Sequence, residues 1–476
     1  MGFENTLSFY INGEWVTPLG VARLDVENPA TEEILCEIAL GSVADADRAV
    51  AAARAAFAGF SVTPVAERIA LLERLLAEYN ARAEDFAQAM RLEMGAPIAW
   101  ARAAQVWAGQ VHLQSTITAA KRFEWETARG ASRIIREGIG VCALITPWNW
   151  PMNQIVCKMA PAIAAGCTMV LKPSEIAPLS GLLWAEICDA AGVPAGVFNL
   201  VNGTGPEVGV RLSSHPDVDM VSFTGSTRAG VQVAANAAPT VKRVAQELGG
   251  KSANIILPSA DIVAAVTQGV AACMANTGQS CDAPTRMFIP RGTEAVAFAA
   301  AKVAADASVI GDTADETVTM GPLVSRMQYD KVQGLIGQGI AQGATLICGG
   351  LGRPDGMNRG HYVRPTVFGN VTPGMVIERE EIFGPVLSIL SYDTVDQAVV
   401  MANDTDYGLA AYVQGDLFAA QAVARRLKAG QVNINGPEWD TFAPFGGYKQ
   451  SGNGREYADW GIHDFCEVKA LVGYGE

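Results

Sequence analysis

The sequence predicts an α/β protein with more than one domain, and two observations support this prediction. The chain has 476 residues, which exceeds the size at which a single hydrophobic core usually stops growing. Short apolar runs alternate with helical segments along most of that length, a pattern typical of parallel sheets joined by right-handed crossovers. Half of the residues are hydrophobic and 18% are charged, so the chain can bury substantial cores.

The elements follow one another in a regular order. From Asp45 to about Met90, apolar residues recur at helical spacing. The first apolar strand covers Gly140 to Thr146, and strands and helices then alternate over 168–171, 179–191, 197–201, 207–213, 220–223, 226–235 and 241–248. This order predicts a doubly wound, nucleotide-binding domain before residue 250. The alternation resumes with a strand at 253–257, a helix from Asp261 and a strand at 287–290, and continues to about residue 435.

Composition and charge argue against several classes of function. The formal net charge is −14 and the 35 basic residues are scattered, whereas nucleic-acid binding needs a concentrated cationic surface. The nine Cys form no CxxC pair and the four His lie far apart, so we expect neither a metal site nor a disulfide framework. No apolar run approaches the roughly 18 residues of a membrane span, and no secretory signal is evident. We therefore expect a cytoplasmic protein without nucleic-acid or membrane partners.

Two glycine-containing segments are candidates for phosphate binding. Gly203-Thr204-Gly205 with Gly209 follows a strand, but its spacing is one residue too long for the dinucleotide fingerprint, so a plain turn and a cofactor loop are equally open. The same spacing at Gly337, Gly339 and Gly343 falls inside a predicted helix, where it cannot cradle phosphate. At Phe223 to Gly230 a strand ends, Gly225 permits a turn and Ser226 begins a helix. The free N–H groups there suit a pyrophosphate, although an ordinary capped helix explains them equally well.

Further motifs follow in a fixed order. They are Pro147-Trp148-Asn149-Trp150-Pro151, Lys172-Pro173-Ser174-Glu175, Glu247-Leu248-Gly249-Gly250-Lys251, Gly278-Gln279-Ser280-Cys281, Glu381-Ile382-Phe383-Gly384-Pro385, Pro444-Phe445-Gly446-Gly447-Tyr448-Lys449 and, after Ser451-Gly452, Gly454-Arg455-Glu456. In order and spacing this set resembles the NAD(P)-dependent aldehyde dehydrogenase superfamily over about residues 10–470. The resemblance implies an aldehyde dehydrogenase-like fold with a Rossmann-type cofactor domain, an α/β catalytic domain and a small β oligomerisation element.

The resemblance implies catalytic roles that fit the chemistry of the residues. Cys281 is the expected nucleophile, because a thiolate attacks a carbonyl carbon and later leaves from a thioester; a buried inert thiol is the alternative. The Asn149 side-chain NH₂ and the Cys281 N–H are expected to stabilise the oxyanion. Glu247 is the expected base that activates water. Lys158 and Glu456 match positions that assist proton transfer, or they form a structural ion pair.

The resemblance also implies a cofactor site. Lys172 and Glu175 are expected at the adenosine ribose, where a carboxylate accepts from a free 2′-OH and repels a 2′-phosphate, so we expect NAD rather than NADP. Glu381 is expected to hold the nicotinamide ribose, and Gly225 and Ser226 the pyrophosphate. The remaining expected cofactor-binding residues are Ile145, Thr146, Trp148, Ser174, Gly205, Phe223, Leu248 and Phe383.

Some residues depart from the family pattern. Asp282 follows the nucleophile and opposes thiolate formation, unless it points away, is paired or faces the substrate channel. Cys157 stands where many relatives have an aromatic pocket residue, which predicts a wider aldehyde tunnel. The predicted lining residues of that tunnel are Trp150, Asn153, Gln154, Trp439 and Phe442. None of them is Arg or Lys, so we expect an uncharged or weakly polar aldehyde.

The predicted organisation assigns residues 1–115 and 139–248 to an NAD-binding domain and 249–459 to a catalytic domain. Residues 116–138 and 460–476 are expected to pair as an oligomerisation element across a subunit boundary, in a homodimer or homotetramer. The predicted activity is oxidation of an aldehyde to its acid through a thioester on Cys281. A CoA-acylating enzyme is one alternative and a non-catalytic protein on the same scaffold is another. The presence of Glu247 argues against the first, and the presence of Cys281 and Asn149 argues against the second.

Overall fold

The computed structural model describes residues 3–475, so residues 1, 2 and 476 of the predicted segments lie outside it. Two large sheets organise the chain, one of eight strands and one of seven, with a three-stranded sheet and a two-stranded ribbon beside them. Among residues 3–475 no helix is long and apolar enough to cross a membrane. Within the same range no three His, Cys, Asp or Glu side chains cluster in a way that could hold a metal ion.

In chain order the strands are β1 (Phe9–Ile11), β2 (Glu14–Val16), β3 (Arg23–Asn28), β4 (Glu33–Ala39), β5 (Glu126–Arg129), β6 (Ser132–Gly138), β7 (Val141–Ile145), β8 (Thr168–Lys172), β9 (Phe198–Leu200), β10 (Met220–Thr224), β11 (Arg243–Glu247), β12 (Ala253–Ile256), β13 (Arg286–Pro290), β14 (Thr345–Cys348), β15 (Thr366–Gly369), β16 (Val386–Tyr392), β17 (Ala410–Gln414), β18 (Gln431–Ile434), β19 (Gly452–Asn453) and β20 (Cys466–Leu471).

The α-helices are α1 (Val43–Phe60), α2 (Val65–Ala81), α3 (Ala83–Met94), α4 (Ile98–Trp100), α5 (Trp107–Arg122), α6 (Pro151–Ala165), α7 (Leu179–Ala190), α8 (Val210–Ser214), α9 (Thr227–Ala237), α10 (Ile262–Met274), α11 (Glu294–Asp306), α12 (Arg326–Ala341), α13 (Val376–Arg379), α14 (Val395–Asn403), α15 (Leu417–Ala424) and α16 (Ala458–Asp464). Ala101–Val106 and Gly205–Gly209 are π-helical, and Ala238–Thr240, Ala275–Gly278 and Lys449–Ser451 are 3₁₀ turns.

The eight-stranded sheet contains the predicted doubly wound arrangement. Its strand order is β19-β11-β10-β7-β8-β9-β1-β2, and the five strands from β11 to β9 are parallel. The chain moves outward from β7 through β8 to β9 and then returns to β10 on the other side of β7. The winding direction therefore reverses between β7 and β10. In open α/β sheets, ligands bind outside the carboxyl ends of the strands at such a reversal.

The N-terminal region differs from the sequence prediction. The predicted helical span from Asp45 to Met90 is divided into α1, α2 and α3. Pro64 stands at the N-cap of α2, where its missing N–H costs no intrahelical bond, and α1 ends before it at Phe60. The strands β1 to β4 precede these helices and were not predicted. β1 and β2 have three residues each, and β3 and β4 are largely half-buried or exposed, so neither pair forms a continuous apolar run.

The seven-stranded sheet, ordered β14-β15-β16-β13-β12-β17-β18, is parallel except for β14. It begins at Ala253, close to the predicted start of the catalytic domain. The chain returns to the first sheet before residue 459, however, because β19 pairs antiparallel with β11 and α16 packs against α5 and α6. The catalytic segment therefore ends earlier in the structure than the predicted boundary at 459.

The three-stranded sheet is formed by the predicted excursion and tail. β20 lies antiparallel to β6, with Cys466 opposite Gly138 and Leu471 opposite Arg133, and β6 also pairs with β5. Residues 116–122 are the last turns of α5 and residues 460–464 belong to α16, so both β segments are shorter than predicted. The buried side chains of Ile117 and Ala120 explain the first difference, because they pack that end of α5 into the core.

Candidate active site

Two cavities share Cys281 as a lining residue. One is a cleft at the reversal point of the first sheet, and Cys281 is among the residues that line it. The others are Pro147, Trp148, Asn149, Thr224, Gly225, Ser226, Leu248, Gly249, Gln328, Lys331, Glu381 and Phe383. The second cavity, of about 640 Å³, is also lined by Cys281. Molecules bound in the two cavities would therefore meet at one thiol.

An unusual turn brings Cys281 to this junction. After α10 the chain passes through Asn276 and Thr277, which have φ values of 52° and 58°, and Gly278 at φ 70°. A Cβ at Gly278 would lie 2.1 Å from the Gly384 carbonyl oxygen, so only glycine fits there. Burial, followed by the charge of Asp282, raises the pKa of the Cys281 thiol well above its ordinary value. These surroundings therefore favour the protonated form of the thiol.

Asp282 lies in the wall of the second cavity, next to the nucleophile. The Tyr412 hydroxyl donates to the Asp282 backbone oxygen at 3.2 Å and lies 3.5 Å from Oδ2. Two of the expectations for this residue therefore hold together: it faces the second cavity, and its charge raises the pKa of the Cys281 thiol.

Asn149 follows β7 and is only 3% exposed. Its Nδ2 donates to the Gln279 carbonyl at 2.9 Å, which leaves one of its two amide hydrogens for another acceptor. Asn149 and Cys281 line the same cleft. The structure thus brings the predicted amide donor and the predicted nucleophile together.

Glu247 ends β11 and is buried. Neither of its carboxylate oxygens has a hydrogen-bond partner among the residues that the structure describes. Burial, followed by the charge of Glu456, raises the pKa of Glu247 well above its ordinary value. A Cβ at Gly446 would lie 2.7 Å from Glu247 Oε1, so that glycine leaves room for the carboxylate. Burial therefore favours the neutral form of Glu247, and no hydrogen bond among the described residues fixes its carboxyl group.

Lys158 and Glu456 form a buried ion pair near Glu247. The Lys158 ammonium donates to Glu456 and, at 2.7 Å, to Thr224 Oγ1. Burial opposes the charge on Lys158, but the Glu456 carboxylate outweighs it and raises the pKa of Lys158. Neither residue lines the described cavities, so their direct contact is with each other.

The residues expected around the adenosine lie along the carboxyl edge of the first sheet. Ile145 is the register partner of both Lys172 and Phe223, and the Thr146 N–H donates to the Lys172 carbonyl at 3.1 Å. Lys172 Nζ donates to Glu175 Oε2 at 2.9 Å. Further along the edge are Ser174, two residues past β8, and Gly205, at the start of a π-helical turn where a Cβ would meet nothing within 4 Å. Gly337 and Gly339, by contrast, lie inside α12 as predicted.

The cleft beside Cys281 has features that fit a dinucleotide. Ser226 Oγ caps α9 by accepting from the Ala229 N–H at 3.3 Å, and Ser226 also lines the cleft, so capping and cleft lining are compatible. Glu381 Oε1 accepts from the Gly250 N–H at 2.9 Å, and a Cβ at Gly249 would lie 2.4 Å from Glu381 Oε2. The cleft therefore combines a helix N-terminus, suited to phosphate, with the half-buried Glu381 carboxylate, suited to ribose hydroxyls.

The second cavity has a largely aromatic lining. Four of the predicted residues line it, namely Trp150, Asn153, Gln154 and Trp439. The structure adds four aromatic residues that the sequence reasoning missed: Trp100, Tyr412, Phe445 and Tyr457. Two of these, Phe445 and Tyr457, are inside or next to the sequence motifs, so adjacency to a motif was the available signal.

Two predictions about this cavity were wrong. Phe442 is 46% exposed and lies in a separate surface pocket with Phe123 and His463, because the loop places it on the opposite side from Trp439. Cys157 does not widen the cavity. It is buried behind Phe445 and Tyr457, and its thiol lies 3.1 Å from Glu456 Oε2.

The charged side chains in the cavity wall are all acidic. They are Asp282, Glu438 and Asp440, and none of the described lining residues is Lys or Arg. The cavity therefore offers aromatic surface and negative potential to a ligand.

Comparison with known proteins gives a consistent picture. The chain is 53% identical over 468 residues to 3-succinoylsemialdehyde-pyridine dehydrogenase from a Pseudomonas species, covering 98% of each chain. It is 54% identical to aldehyde dehydrogenase C from Pseudomonas syringae, solved as a cysteine-to-alanine variant with NAD⁺ and octanal, with a TM-score of 0.98 over 99% of this chain and 97% of that one.

A more distant solved relative agrees. Betaine aldehyde dehydrogenase from Staphylococcus aureus, solved with NAD⁺, is 34% identical with a TM-score of 0.95 over 99% of this chain and 95% of that one. The profile of the aldehyde dehydrogenase family matches residues 15–471. With the fold and the thiol-centred site described above, these matches show that the chain belongs to the aldehyde dehydrogenase family.

Proposed function

We propose that this enzyme oxidises an uncharged aldehyde to its carboxylic acid with NAD, through a thiohemiacetal and a thioester on Cys281. The observation that supports the proposal best is that Cys281 lines both cavities. The unanchored Glu247 carboxyl group and the Asn149 amide provide the accompanying base and oxyanion donor.

The residues supply three functions in sequence. After the Cys281 thiol has lost its proton to solvent, the sulfur attacks the aldehyde carbon. The free Asn149 amide hydrogen and the Cys281 N–H stabilise the resulting oxyanion. Bound NAD would supply the hydride acceptor, so that the thiohemiacetal becomes a thioester. In its ionised form, Glu247 then takes a proton from water as the water attacks the thioester. The thioester releases the acid, and the leaving sulfur regains a proton from Glu247.

We assign NAD rather than NADP on the chemistry of Glu175. Its carboxylate accepts from Lys172 and its side chain is still 30% exposed, so it can also accept from a ribose hydroxyl. A 2′-phosphate at that position would meet a like charge. The relatives solved with NAD⁺ support binding of NAD.

The charge of the second cavity supports an uncharged substrate. Asp282, Glu438 and Asp440 repel a carboxylate, and no described lining cation offsets them. One like-charge contact at about 6 Å costs about 2.8 kcal/mol at an effective dielectric constant of 20, or about 100-fold in kcat/KM. Octanal, bound by one relative, and the pyridine semialdehyde in the name of another are both without a carboxylate.

A pair of substrates of equal length tests the substrate assignment. We expect kcat/KM for octanal to exceed that for 8-oxooctanoate by about 100-fold, with the gap narrowing at high salt as the repulsion is screened. Equal values at low salt would remove the electrostatic argument.

Burst kinetics test the mechanism. Glu247→Gln should retain a stoichiometric first turnover of NADH and lose steady-state turnover, whereas Cys281→Ala should lose both. A Glu247→Gln enzyme that cycles at the wild-type rate would exclude Glu247 as the base. Product analysis with CoA present separates hydrolysis from CoA acylation, because only the latter yields an acyl-CoA.

We also propose a cytoplasmic homo-oligomer, either a dimer or a tetramer. All nine cysteines, from Cys36 to Cys466, are free thiols, which suits a reducing compartment. β5 and β18 are edge strands that pair on one side only within the described chain, with β6 and β17 respectively. The side chains of Trp460 and Val468 are exposed. Light scattering on the purified protein tests this, and a monomer at micromolar concentration would contradict it.

A further inference from the structure

We propose that Gln105 and Asn276 are positioning residues that hold the Asn149 amide in the orientation required for oxyanion stabilisation. The inference rests on the proposed function, because it assumes that Asn149 is the oxyanion donor. Both residues lie outside the motifs that carry the family resemblance. Gln105 is fully buried and Asn276 is 6% exposed, so neither is available as a surface contact.

The two side chains converge on the backbone of Asn149. Gln105 Nε2 donates to the Asn149 carbonyl at 3.1 Å and to Asn276 Oδ1 at 3.0 Å. Asn276 Nδ2 donates to the same Asn149 carbonyl at 2.9 Å. The carbonyl thus receives two side-chain donors from separate parts of the fold, which fixes the backbone that carries the Asn149 side chain.

The Gln279 carbonyl connects this network to the Asn149 side chain. It accepts from Asn276 Nδ2 at 3.2 Å and from Asn149 Nδ2 at 2.9 Å. Since one Asn149 amide hydrogen is fixed on Gln279, the planar amide directs its other hydrogen along a single line. Asn276 therefore restrains both the backbone and the side chain of Asn149.

Both positioning residues lie in unusual backbone. Gln105 belongs to the π-helical turn Ala101–Val106, between the regular helices α4 and α5. Asn276 has φ 52°, a left-handed conformation that asparagine tolerates better than most residues. Irregular backbone of both kinds carries a cost and recurs at functional sites. In this protein the irregular backbone allows the buried side-chain amides of Gln105 and Asn276 to reach Asn149.

Every polar atom of the Asn276 amide has a hydrogen-bond partner, so this side chain is held in one orientation. Asn276 Oδ1 accepts from Gln105 and, at 3.3 Å, from Trp100 Nε1, while both Asn276 amide hydrogens are donated. Removal of the Gln105 amide leaves the Asn149 carbonyl with one donor, Asn276 Nδ2. We therefore expect the protein to fold, with the Asn149 side-chain amide taking a wider range of orientations. Loss of one neutral hydrogen bond corresponds to a decrease of about 10-fold in a rate that depends on it.

A double-mutant cycle tests the proposal. We expect Gln105→Leu to lower kcat/KM for the aldehyde about 10-fold, and Asn149→Ala to lower it 100-fold or more. In the Asn149→Ala background, Gln105→Leu should cost less than twofold, because no amide remains to be oriented. Gln114→Leu, the same substitution at an exposed position of α5, is the matched control and should match wild type.

A second variant keeps the test decisive if Gln105→Leu fails to fold. Asn276→Gly permits the left-handed backbone and removes only the amide, so it should show the same non-additivity with Asn149→Ala. The rate of Cys281 alkylation should stay within twofold of wild type in both variants, because the sulfur itself is not displaced.

The outcomes separate the two proposals. Equal losses from Gln105→Leu or Asn276→Gly in the wild-type and Asn149→Ala backgrounds would overturn the positioning role and leave the proposed function intact. Wild-type kcat/KM in Asn149→Ala would overturn the oxyanion role of Asn149 and this inference with it.

Discussion

Gly249→Ala should weaken NAD binding through a steric displacement of Glu381. Gly249 has no left-handed φ, so alanine introduces no backbone strain there. Its Cβ, however, would lie 2.4 Å from Glu381 Oε2, whereas ordinary contact begins at 3.4 Å. The carboxylate must therefore retreat by about 1 Å. The 2.9 Å bond from the Gly250 N–H to Glu381 Oε1 would then exceed hydrogen-bond distance.

The size of the effect follows from that lost bond. A hydrogen bond to a charged group contributes about 1.5–3 kcal/mol, which converts to about a 10- to 100-fold rise in the Kd for NAD if Glu381 holds the nicotinamide ribose. Isothermal titration calorimetry measures the Kd directly. Gly334→Ala is the matched control, because a Cβ at that exposed position of α12 meets nothing within 4 Å. A folded Gly249→Ala protein that binds NAD within twofold of wild type would refute the reasoning.

Three further predictions concern charge. Asp282→Asn removes the nearest charge that raises the pKa of Cys281, so iodoacetamide should alkylate the thiol about 10-fold faster at pH 8; an unchanged rate would contradict this. Glu175→Ser removes the charge that would repel a 2′-phosphate. The ratio of kcat/KM with NAD to kcat/KM with NADP should therefore fall about 10-fold. Burial raises the pKa of Glu93 to about 7, so the folded protein favours the protonated carboxyl group, and the free energy of unfolding falls as pH rises from about 4.5 to 7. Relative to Glu93→Gln, which does not titrate, the wild-type protein should lose up to about 3 kcal/mol of unfolding free energy between pH 5 and 8, as measured by urea titration.

The positions of the reacting groups could be predicted because simple patterns place them. Asn149 and Glu247 follow strands whose apolar runs are readable, and parallel strands bring their carboxyl ends to one edge. Cys281 follows a helix in the other half of the chain, and only the motif order indicated that it reaches the same edge. The apolar runs therefore predicted the strands of the sheet, and the motifs predicted which residues lie at its carboxyl edge.

The features that could not be predicted depend on local backbone detail. Phe442 and Trp439 are three residues apart in a loop without periodicity, so the sequence does not tell which of them faces the cavity. Tyr457 has φ 81°, and its ring stacks on Phe445 in front of Cys157, which no propensity indicates for tyrosine. The inward direction of Gln105 likewise depends on one π-helical turn.

The charges around Cys281 bear on both proposals, the uncharged aldehyde and the NAD cofactor. Asp282, Glu381 and Glu247 all raise the pKa of the thiol, and Lys158 does not offset them because Glu456 already pairs with it. The acidic groups around Cys281 disfavour an anionic substrate. They favour a cationic group beside the thiol, while Lys331 lines the same cleft. The oxidised nicotinamide ring is such a cation, so the acidic surroundings that keep the resting thiol protonated are compatible with NAD binding beside it.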